Sequence, residues 1–503
     1  MMDTSNSSDN QPGEIERKTI FDYDWDNKNK KFNFKDLTLT PEMDKACEEF
    51  LHGDSQIVWV YGSAGTGKST FMNYVINEIC EDGVKTGRYH LEKRDCFDLG
   101  HDIVRLAPTG AAAMLIDGQT IHSFFGLAVI KNSVFEPHDF KYYTDRINRG
   151  RMDIWDCANY LIIDEVSMVR ADIFDEIDRR MRIGKDNPDE PFGGVKILLL
   201  GDPFQLPPVL TQDDEKAFTG LGYVTPYFFS SRIYKELLGN DKVKQVEFKK
   251  IFRQTDENFL TTLNHIRLGQ ATREDLDYIN SRVRTKKTKK FFILQQQEKN
   301  AESINMSKYN ELEGKELEFK ATAEGKFYLP LEKALSSIEP NMGRDFPAPP
   351  FLKLKVGTHI LMLTNENNFV NGTLAVITEI GEELITAKGQ EGKIYLIRRH
   401  RWEEKEYVRG ENGLELEVVG TYTQFPLVYG WAMTIHKAQG KTVDAISVSL
   451  ENGAFASGQS YVALSRVKSL EGLHLETRVR MEDIRQNKTV LNYFNYCKKH
   501  GLL

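Results

Sequence analysis

The stretch YGSAGTGKST (residues 61–70) decides the fold class of this 503-residue chain. It satisfies the spacing G-x-x-x-x-G-K-[ST] with Gly62, Gly67, Lys68 and Ser69, after the apolar run IVWVY and before the helical pattern TFMNYVINEIC. The glycines let backbone N–H groups curl around phosphate oxygens, and the N-terminus of the following helix favours an anion. The stretch therefore predicts a phosphate-binding loop between a buried strand and a helix.

Two further apolar runs extend this pattern. YLIID (residues 160–164) and KILLLGD (residues 196–202) have the continuous hydrophobic character of buried parallel strands. Helical patterns lie between the runs, so the sequence predicts an α/β fold. One of these patterns, ADIFDEIDRRMR, is amphipathic. Its apolar face carries Ile173, Phe174, Ile177 and Met181.

Composition sets broad limits on the class of protein. The chain is longer than one hydrophobic core usually supports, so several domains are expected. Its 40% hydrophobic and 28% charged residues are typical of a globular protein, and no apolar run approaches the length that spans a bilayer. Five scattered cysteines without a C-x-x-C pair argue against a zinc site or a disulfide framework and favour a reducing, intracellular setting. With a net charge of -8, any nucleic-acid site has to be a local groove.

Two segments depart from the α/β pattern. The first 36 residues are polar and lack both the apolar core of a signal peptide and the Arg-rich pattern of a transit peptide, so we expect a flexible tail. Between residues 353 and 423 the pieces THILML, TLAVITEI, KIYLIRR and LELEVVGTYTQF are strand-like and separated by turns. This pattern predicts a small β barrel inserted into the larger fold.

Five side chains would form a hydrolytic site at the phosphate loop. Lys68 would reach the β and γ phosphates of a nucleotide, and Ser69 would ligate Mg²⁺ together with Asp164. Glu165 would then activate the attacking water. Gln205, which follows the run KILLLGD, is placed to sense the γ phosphate. A Gly-rich turn or an acidic strand end is common by itself, but the two in this order indicate a nucleotide hydrolase.

Seven stretches then occur together in one order. They are APTGAAAMLIDGQTIHSFFGL, LIIDEVSMV, GDPFQLPPV, IFRQTDENFLTTLNHIRLG, NFVNGT, WAMTIHKAQGKT and YVALSRVKSLEGLHL. In these motifs the chain resembles superfamily-one DNA helicases of the Pif (petite integration frequency) family, relatives of RecD. The resemblance covers residues 37 to 475, and the stretch EVSMVRADIFDEIDRRMR followed by PFGG is typical of Pif helicases in particular.

The resemblance implies two RecA-like domains with parallel sheets and ATP bound between them. The implied division is a tail at residues 1–36, a first RecA-like domain at 37–245 with a short wedge insertion at 126–151, a second RecA-like domain at 246–350 and 421–503, and a small Src-homology-like β barrel inserted at 351–420. The wedge would meet the junction at which a duplex is opened.

The resemblance also implies which residues hold and hydrolyse ATP. The catalytic set is Lys68, Glu165, Gln205, Arg253 and Arg466. The ATP-binding set is Gly62, Ser63, Ala64, Gly65, Thr66, Gly67, Lys68, Ser69, Thr70, Met43, Gln205, Arg253, Gly440, Lys441 and Arg466. Both arginines would come from the second domain, so hydrolysis would depend on closure of the cleft between the domains.

Two groups of residues would line the path of a single DNA strand. By resemblance they are Pro108, Thr109, His122 and Phe124 in the first domain and Asn365, Thr434, His436 and Lys437 in the second. Two grips driven alternately by ATP produce translocation, which runs 5′ to 3′ in this family. For Phe124 and its neighbour Phe125 a core position is equally open, because adjacent aromatic residues usually pack inside a protein.

Two positions depart from the family pattern. Met43, in LTPEMDKA, stands where the family tends to carry a Gln that contacts adenine. A methionine can pack on the base without its paired hydrogen bonds, so phosphate binding is predicted more firmly than adenine specificity, and ATP is still favoured. Gln296 and Gln297 stand where the family commonly has Thr-Asn at a nucleic-acid contact.

A second Gly-Lys-Thr occurs in AQGKT (residues 438–442). A phosphate loop there would need a glycine at Ile435, and no glycine-rich turn precedes it. The stretch is therefore not predicted to be a second nucleotide site. By resemblance, Gly440 and Lys441 instead approach the cleft that holds ATP.

The predicted protein is an ATP- and Mg²⁺-dependent DNA helicase that acts as a monomer on single-stranded DNA and single-to-double-strand junctions, with G-quadruplexes or R-loops as further substrates. Two alternatives stay open: an RNA helicase or remover of RNA–DNA hybrids, and a nucleotide-dependent switch or scaffold that does not translocate. We expect no membrane association. The expected location is the cytoplasm or nucleoid of a bacterium, or the nucleus or mitochondrion of a eukaryote.

Overall fold

The structure consists of two parallel sheets with their helices and a group of antiparallel strands. The computed structural model describes residues 39–85, 102–127, 149–210, 212–252, 256–283, 292–295, 298–336, 346–366, 368–369, 371–389, 392–410, 413–435, 438, 443, 445–450, 453–454 and 456–503. The predicted tail and most of the predicted wedge insertion lie outside the described residues. Within the described part of the chain, no helix is long and apolar enough to cross a membrane.

The first domain is built on a six-stranded parallel sheet with the strand order β3-β2-β4-β5-β1-β6. Its strands are β1 (Ile57–Tyr61), β2 (Ile103–Ala107), β3 (Gln119–Thr120), β4 (Tyr160–Ile163), β5 (Lys196–Gly201) and β6 (Val243–Glu247). All five residues of β1 are buried, because β1 lies between β5 and β6 in the sheet and helices cover the two faces. The three strands predicted from apolar runs, β1, β4 and β5, are confirmed.

Eight helices accompany this sheet in the described residues. They are α1 (Pro41–His52), α2 (Lys68–Lys85), α3 (Gly110–Leu115), α4 (Ile121–Phe125), α5 (Arg149–Cys157), α6 (Ala171–Gly184), α7 (Gln212–Gly220) and α8 (Arg232–Gly239). Helix α6 is the predicted amphipathic helix, and its four apolar residues are buried in the core as expected. Its carboxylates at Asp172 and Glu176 are also buried, where arginines neutralise them, as Arg180 does for Glu176 at 2.7 Å.

The second domain has a four-stranded parallel sheet with the order β18-β7-β19-β20. Its strands are β7 (Phe292–Gln295), β18 (Ala432–Thr434), β19 (Ile446–Val448) and β20 (Leu473–Leu475). Its helices are α9 (Glu257–Leu268), α10 (Arg273–Asn280), α11 (Glu298–Asn310) and α13 (Gln459–Leu464), whereas α14 (Lys488–Lys499), which follows in the chain, packs in the core of the first domain. The predicted fold of two parallel α/β domains is confirmed.

Antiparallel strands lie between β7 and β18 in the chain. They are β8 (Leu317–Lys320), β9 (Thr322–Gly325), β10 (Phe351–Leu354), β11 (His359–Met362), β12 (Leu374–Ile380), β13 (Ile385–Gly389), β14 (Ile394–Ile397), β15 (His400–Gly410), β16 (Gly413–Gln424) and β17 (Leu427–Tyr429), with helix α12 (Tyr328–Ser336). Five of them form the sheet β14-β13-β12-β11-β17. The strands are confirmed, and closure into a barrel stays a prediction.

The pairing of these strands reaches further than residues 351–420. Strand β8 pairs with β10 across the Pro-rich connection, and β9 pairs with β16. At the other end, β17 pairs with β11. Antiparallel strands thus continue on both sides of residues 351–420, and the division of the chain into domains stays a prediction.

Two elements join the first domain to the rest of the chain. In the long hairpin of β15 and β16, the Tyr407 hydroxyl accepts a hydrogen bond from the Arg105 N–H of β2 at 2.9 Å, and Leu414 is buried in the first domain's core. Helix α14 packs on the same core, where Phe494 stacks on Trp59 with ring centroids 5.8 Å apart. Both the hairpin of β15 and β16 and helix α14 therefore pack against the core of the first domain.

Candidate active site

The predicted phosphate loop lies between β1 and α2. Gly65 and Gly67 have φ angles of 84° and 81°, a region that glycine enters without strain. A side chain at Gly62 would place its Cβ 2.5 Å from the Phe248 carbonyl oxygen, so only glycine fits there. The Lys68 ammonium donates to the carbonyl oxygens of Gly62 at 2.7 Å and Ser63 at 3.0 Å. The loop is thus closed around the lysine predicted to bind phosphate.

The carboxylates of Asp164 and Glu165 follow the end of β4. The Asp164 N–H donates to the Leu106 carbonyl of β2 at 2.9 Å, and Asp164 Oδ1 accepts from the Glu165 N–H at 2.8 Å. Glu165 has a positive φ of 50°, a backbone conformation that costs free energy in a residue other than glycine and often marks a functional site. The strand end therefore holds both carboxylates in a turn of defined shape.

Charges at this edge of the sheet affect one another. Burial raises the pKa of Glu165 to about 7, with the neighbouring Asp164 adding to the effect and Lys68 opposing it. Burial likewise raises the pKa of Asp164. Burial lowers the pKa of Lys68, against the attraction of the Asp202 and Glu165 carboxylates. Lys68 and the three carboxylates thus form one electrostatic cluster.

Gln205 lies in the turn that follows β5. The Gln205 N–H donates to the Asp202 carbonyl oxygen at 3.0 Å, and the residue is buried. Asp202 belongs to the electrostatic cluster described above, because its charge acts on both Lys68 and Glu165. The fold therefore brings the end of β5 next to the phosphate loop and the end of β4, as the sequence predicts for parallel strands.

Arg466 approaches the same cluster from the second domain. It follows α13 and is buried, with Nε donating to the Val462 carbonyl at 2.7 Å and Nη2 to Ser465 Oγ at 2.7 Å. The positive charge of Arg466 is close enough to Glu165 to oppose the rise in the pKa of that carboxyl. The site is therefore composed of both domains.

Two contacts across the cleft were not predicted from the sequence. The Tyr461 hydroxyl of α13 accepts a hydrogen bond from the Ala64 N–H of the phosphate loop at 3.0 Å. Arg267 of α9 binds the carboxylate of Asp202, with Nη2 and Oδ1 2.9 Å apart. Both residues lie within the quoted motifs, YVALSRV and HIRLG, and that position was the signal that could have identified them.

The other residues predicted to bind the nucleotide differ in how deeply they are buried. Ser69 is exposed at the start of α2, as a metal ligand needs to be, and Thr66 is buried with its hydroxyl donating to the Ser63 carbonyl at 3.0 Å. Met43, in α1, is only 1% exposed and packs in the core that α1 shares with α2. Its predicted contact with a base stays a prediction. Arg253, Gly440 and Lys441 lie outside the described residues.

The first-domain residues of the predicted strand path follow β2. Thr109 is exposed and caps α3, where its hydroxyl accepts from the Ala112 N–H at 3.3 Å; Pro108 is half-buried beside it. His122, in α4, is half-buried, and burial together with the nearby Arg170 lowers its pKa. It is therefore a neutral side chain near neutral pH.

Phe124 is buried in this structure, where its ring meets Phe125 edge-on at 4.9 Å and Tyr407 at 5.7 Å. The core position that the sequence left open is thus occupied by both phenylalanines, because the long hairpin covers them. A contact between Phe124 and DNA stays a prediction.

The second-domain residues of the path are described in part. Asn365 is exposed, and its side-chain oxygen accepts from the Asn371 N–H at 2.8 Å. Thr434 ends β18 and is buried next to Ile435, which is fully buried. His436 and Lys437 lie outside the described residues, as do Gln296 and Gln297. Of the four second-domain residues predicted to contact the strand, the structure therefore describes Asn365 and Thr434.

Comparisons with known proteins show which family of proteins this chain is similar to. The model of the PIF1-like helicase family matches residues 40–277. The ATP-dependent DNA helicase PIF1 of Danio rerio is 29% identical over 481 residues, which is 92% of this chain and 65% of that protein. The chain thus spans somewhat less than two thirds of the length of this curated relative.

Two solved structures of Pif1 from Bacteroides are similar along almost their whole length. The complex with ADP-AlF4 is 29% identical, covers 92% of this chain and 98% of its own, and has a TM-score of 0.76. The form bound to single-stranded DNA is 30% identical with the same coverage, and its TM-score is 0.60. The identity and coverage of these proteins agree with the matched family model and with the motifs at the cleft. The chain belongs to the PIF1-like helicase family.

Proposed function

We propose that this protein is an ATP-dependent DNA helicase that moves 5′ to 3′ on single-stranded DNA and unwinds duplex and structured DNA. The observation that carries the proposal is the composite site: the phosphate loop and Glu165 come from one domain, while Tyr461 and Arg466 come from the other. A nucleotide bound between two domains can change their separation as it is hydrolysed. That change is what a motor needs.

The residues of the cleft have the chemistry for hydrolysis. Glu165, with its pKa raised to about 7 by burial, is able to accept a proton from water near neutral pH. Lys68 and Arg466 supply positive charge for the γ phosphate, and Gln205 provides an amide that can orient water or phosphate. Arg253 is proposed as the second arginine of the site.

Mg²⁺ fits the donors that the loop offers. Ser69 is an exposed hydroxyl and Asp164 a carboxylate of the same electrostatic cluster, and Mg²⁺ is usually held by one or two carboxylates together with substrate phosphates. Among the described residues no group of three or more His, Cys, Asp or Glu could hold a metal without a nucleotide. Ser69 and Asp164 would hold the ion, which would neutralise charge on the phosphates.

The DNA strand is proposed to cross both domains. Pro108 and Thr109 follow β2, which pairs with the strand that precedes Asp164, and His122 lies in α4, directly after the neighbouring strand β3. Thr434 lies at the carboxyl end of β18 in the second domain. Movement of the domains would thus shift one grip relative to the other. Direction and action at junctions rest on the similarity to Pif1 helicases, and a monomer is the default oligomeric state.

A measurement of ATPase activity with and without nucleic acid tests this function. We expect turnover to be strongly stimulated by single-stranded DNA, and the binding of DNA to weaken with salt with a slope of about -0.7 per neutralised phosphate. Matched RNA and RNA–DNA hybrid oligonucleotides form two further arms. A rate that no nucleic acid changes would support a switch in place of a motor, and stronger stimulation by RNA would identify an RNA helicase.

A further inference from the structure

A buried ion pair joins the two domains next to the active site. Arg267, near the end of α9, donates from Nη2 to Asp202 Oδ1 at 2.9 Å and from Nε to both carboxylate oxygens at 3.2 and 3.1 Å. The exposed fractions of the two side chains are 3% and 0%. Asp202 directly follows β5, so the pair connects the second domain to the strand end that carries Gln205.

The position of the pair makes it costly to break. A buried carboxylate without a counter-charge loses several kcal/mol of solvation, so Asp202 depends on Arg267 for neutralisation. The same carboxylate acts electrostatically on Lys68 and Glu165, as described above. Separation of the two side chains would therefore leave a charged, unpaired carboxylate beside the residues that handle phosphate and water.

The turn from Asp202 to Gln205 is shaped by this carboxylate. Asp202 Oδ1 also accepts from the Phe204 N–H at 3.1 Å, and the Asp202 carbonyl accepts from the Gln205 N–H. The guanidinium of Arg267 lies 4.7 Å from the centroid of the Phe204 ring. Arg267 thus contacts the turn through two chemically different surfaces, a carboxylate and an aromatic ring.

Two further helices hold the same turn, α14 from within the first domain's core and α13 from the second domain. Phe494 of α14 stacks on Phe204 with centroids 5.8 Å apart and an angle of 13° between the rings. Gly458, at the start of α13, has a φ of 77°, and a Cβ there would lie 2.5 Å from the carbonyl oxygens of both Phe204 and Gln205. The turn is therefore seated against the second domain on its backbone as well as its side chains.

We propose that Arg267 is a positioning residue for ATP hydrolysis: by binding Asp202 across the cleft, it sets the turn that places Gln205 at the nucleotide. Gln205 is then correctly placed only while α9 is seated against the turn, so hydrolysis reports the arrangement of the domains. The proposal rests on the proposed ATPase function and adds a residue that acts through Gln205, so its loss should change turnover far more than the affinity for ATP.

The chemistry explains an arginine at this position. Its planar guanidinium binds a carboxylate with two nitrogens and lies over an aromatic ring at the same time, whereas a lysine ammonium is a point charge that cannot do both. Arg267→Lys keeps the charge that neutralises Asp202 and removes the geometry. This substitution therefore distinguishes a positioning role of Arg267 from simple neutralisation of the Asp202 charge.

The test is a mutant cycle between Arg267 and Gln205. ATP turnover stimulated by single-stranded DNA, the dissociation constant for ATP and the midpoint of thermal unfolding are measured for the wild type, Arg267→Lys, Gln205→Ala and the double variant. Arg182→Lys is the matched control, because Arg182 binds the buried Asp178 with nitrogen and oxygen 2.9 Å apart on α6, within the first domain. If Arg267→Lys does not fold, the pair Arg267→Gln and Asp202→Asn replaces it in the cycle, since the two changes together remove both buried charges.

We expect Arg267→Lys to lower kcat by up to about 10²-fold while the dissociation constant for ATP changes by less than about threefold. In the Gln205→Ala background the same substitution should have no further effect, because the residue through which it acts is gone. Losses that multiply in the double variant, or a kcat for Arg267→Lys equal to that of Arg182→Lys, overturn the proposal. A wild-type protein that does not hydrolyse ATP would instead overturn the proposed function.

Discussion

The hydroxyl of Tyr461 in the second domain accepts a hydrogen bond at 3.0 Å from the amide of Ala64 in the phosphate loop of the first domain, 397 positions away in the chain. Tyr461 is buried in α13, the helix that precedes Arg466. The loop that would receive a nucleotide is therefore already in contact with the element that supplies the opposite side of the site. A nucleotide bound at this loop would therefore be linked to the arrangement of the domains through this contact.

Tyr461→Phe should weaken the closed arrangement of the domains without nucleotide. The Ala64 amide would lose its acceptor, and a lost hydrogen bond of this kind costs about 1 kcal/mol. The expected result is a lower midpoint of thermal unfolding for the nucleotide-free protein. Tyr496→Phe is the control, because Tyr496 lies exposed on α14. Equal midpoints for the two variants would show that the Tyr461 hydrogen bond does not hold the domains together.

Lys68→Ala should abolish ATP turnover. The Lys68 ammonium is enclosed by the carbonyl groups of Gly62 and Ser63, so no other described side chain of the loop can replace its charge at the phosphates. Steady-state ATPase activity with single-stranded DNA measures the effect. Lys308→Ala removes an exposed ion pair between the last turn of α11 and Glu311, which follows the helix. This variant should retain normal turnover. Turnover by Lys68→Ala at the level of this control would contradict the assignment of the loop.

Glu165→Gln should separate nucleotide binding from hydrolysis. The substitution preserves size and removes the group proposed to accept a proton from water, so a loss of about 10² to 10⁴ in kcat is expected with the affinity for ATP retained. The two quantities are measured by steady-state kinetics and by titration with a fluorescent nucleotide. ATPase activity equal to that of the wild type would remove Glu165 as the base.

Phe494→Ala should destabilise the contact between α14 and the first domain. Its ring packs against Trp59, Tyr61 and Phe204, and removal of a half-buried phenylalanine costs about 2 kcal/mol. Tyr496→Ala on the same helix should change stability by less than about 0.5 kcal/mol. Denaturant unfolding of the two variants gives the comparison. Equal stability would mean that α14 is not a structural connection between the domains.

Local patterns in the sequence were sufficient for three strands and the amphipathic helix of the first domain. The strand before the phosphate loop, the strand ending at Asp164 and the buried face of α6 were predicted because apolar runs and helical spacing report burial directly. The closeness of Lys68 to the residues that follow β4 and β5 also followed, since the carboxyl ends of neighbouring parallel strands share one edge of a sheet.

Contacts between distant parts of the chain had no such signal. Arg267 and Asp202 are 65 positions apart, and an arginine near a helix end is usually exposed, so nothing local indicated a buried pair. The depth of Met43 and the burial of Phe124 by Tyr407 depend on how α1 and the long hairpin pack. The pairing of β8 with β10 had no local signal for the same reason, because the two strands lie on either side of a Pro-rich connection.

The most direct test of the central claim is strand separation by the full chain on matched duplexes that carry a single-stranded tail at either the 5′ or the 3′ end. The measurement is release of the labelled strand with and without ATP, and Lys68→Ala serves as the inactive control. The account predicts ATP-dependent release from the 5′-tailed duplex. Release only from the 3′-tailed duplex, or no release from either while ATP is hydrolysed, would contradict it.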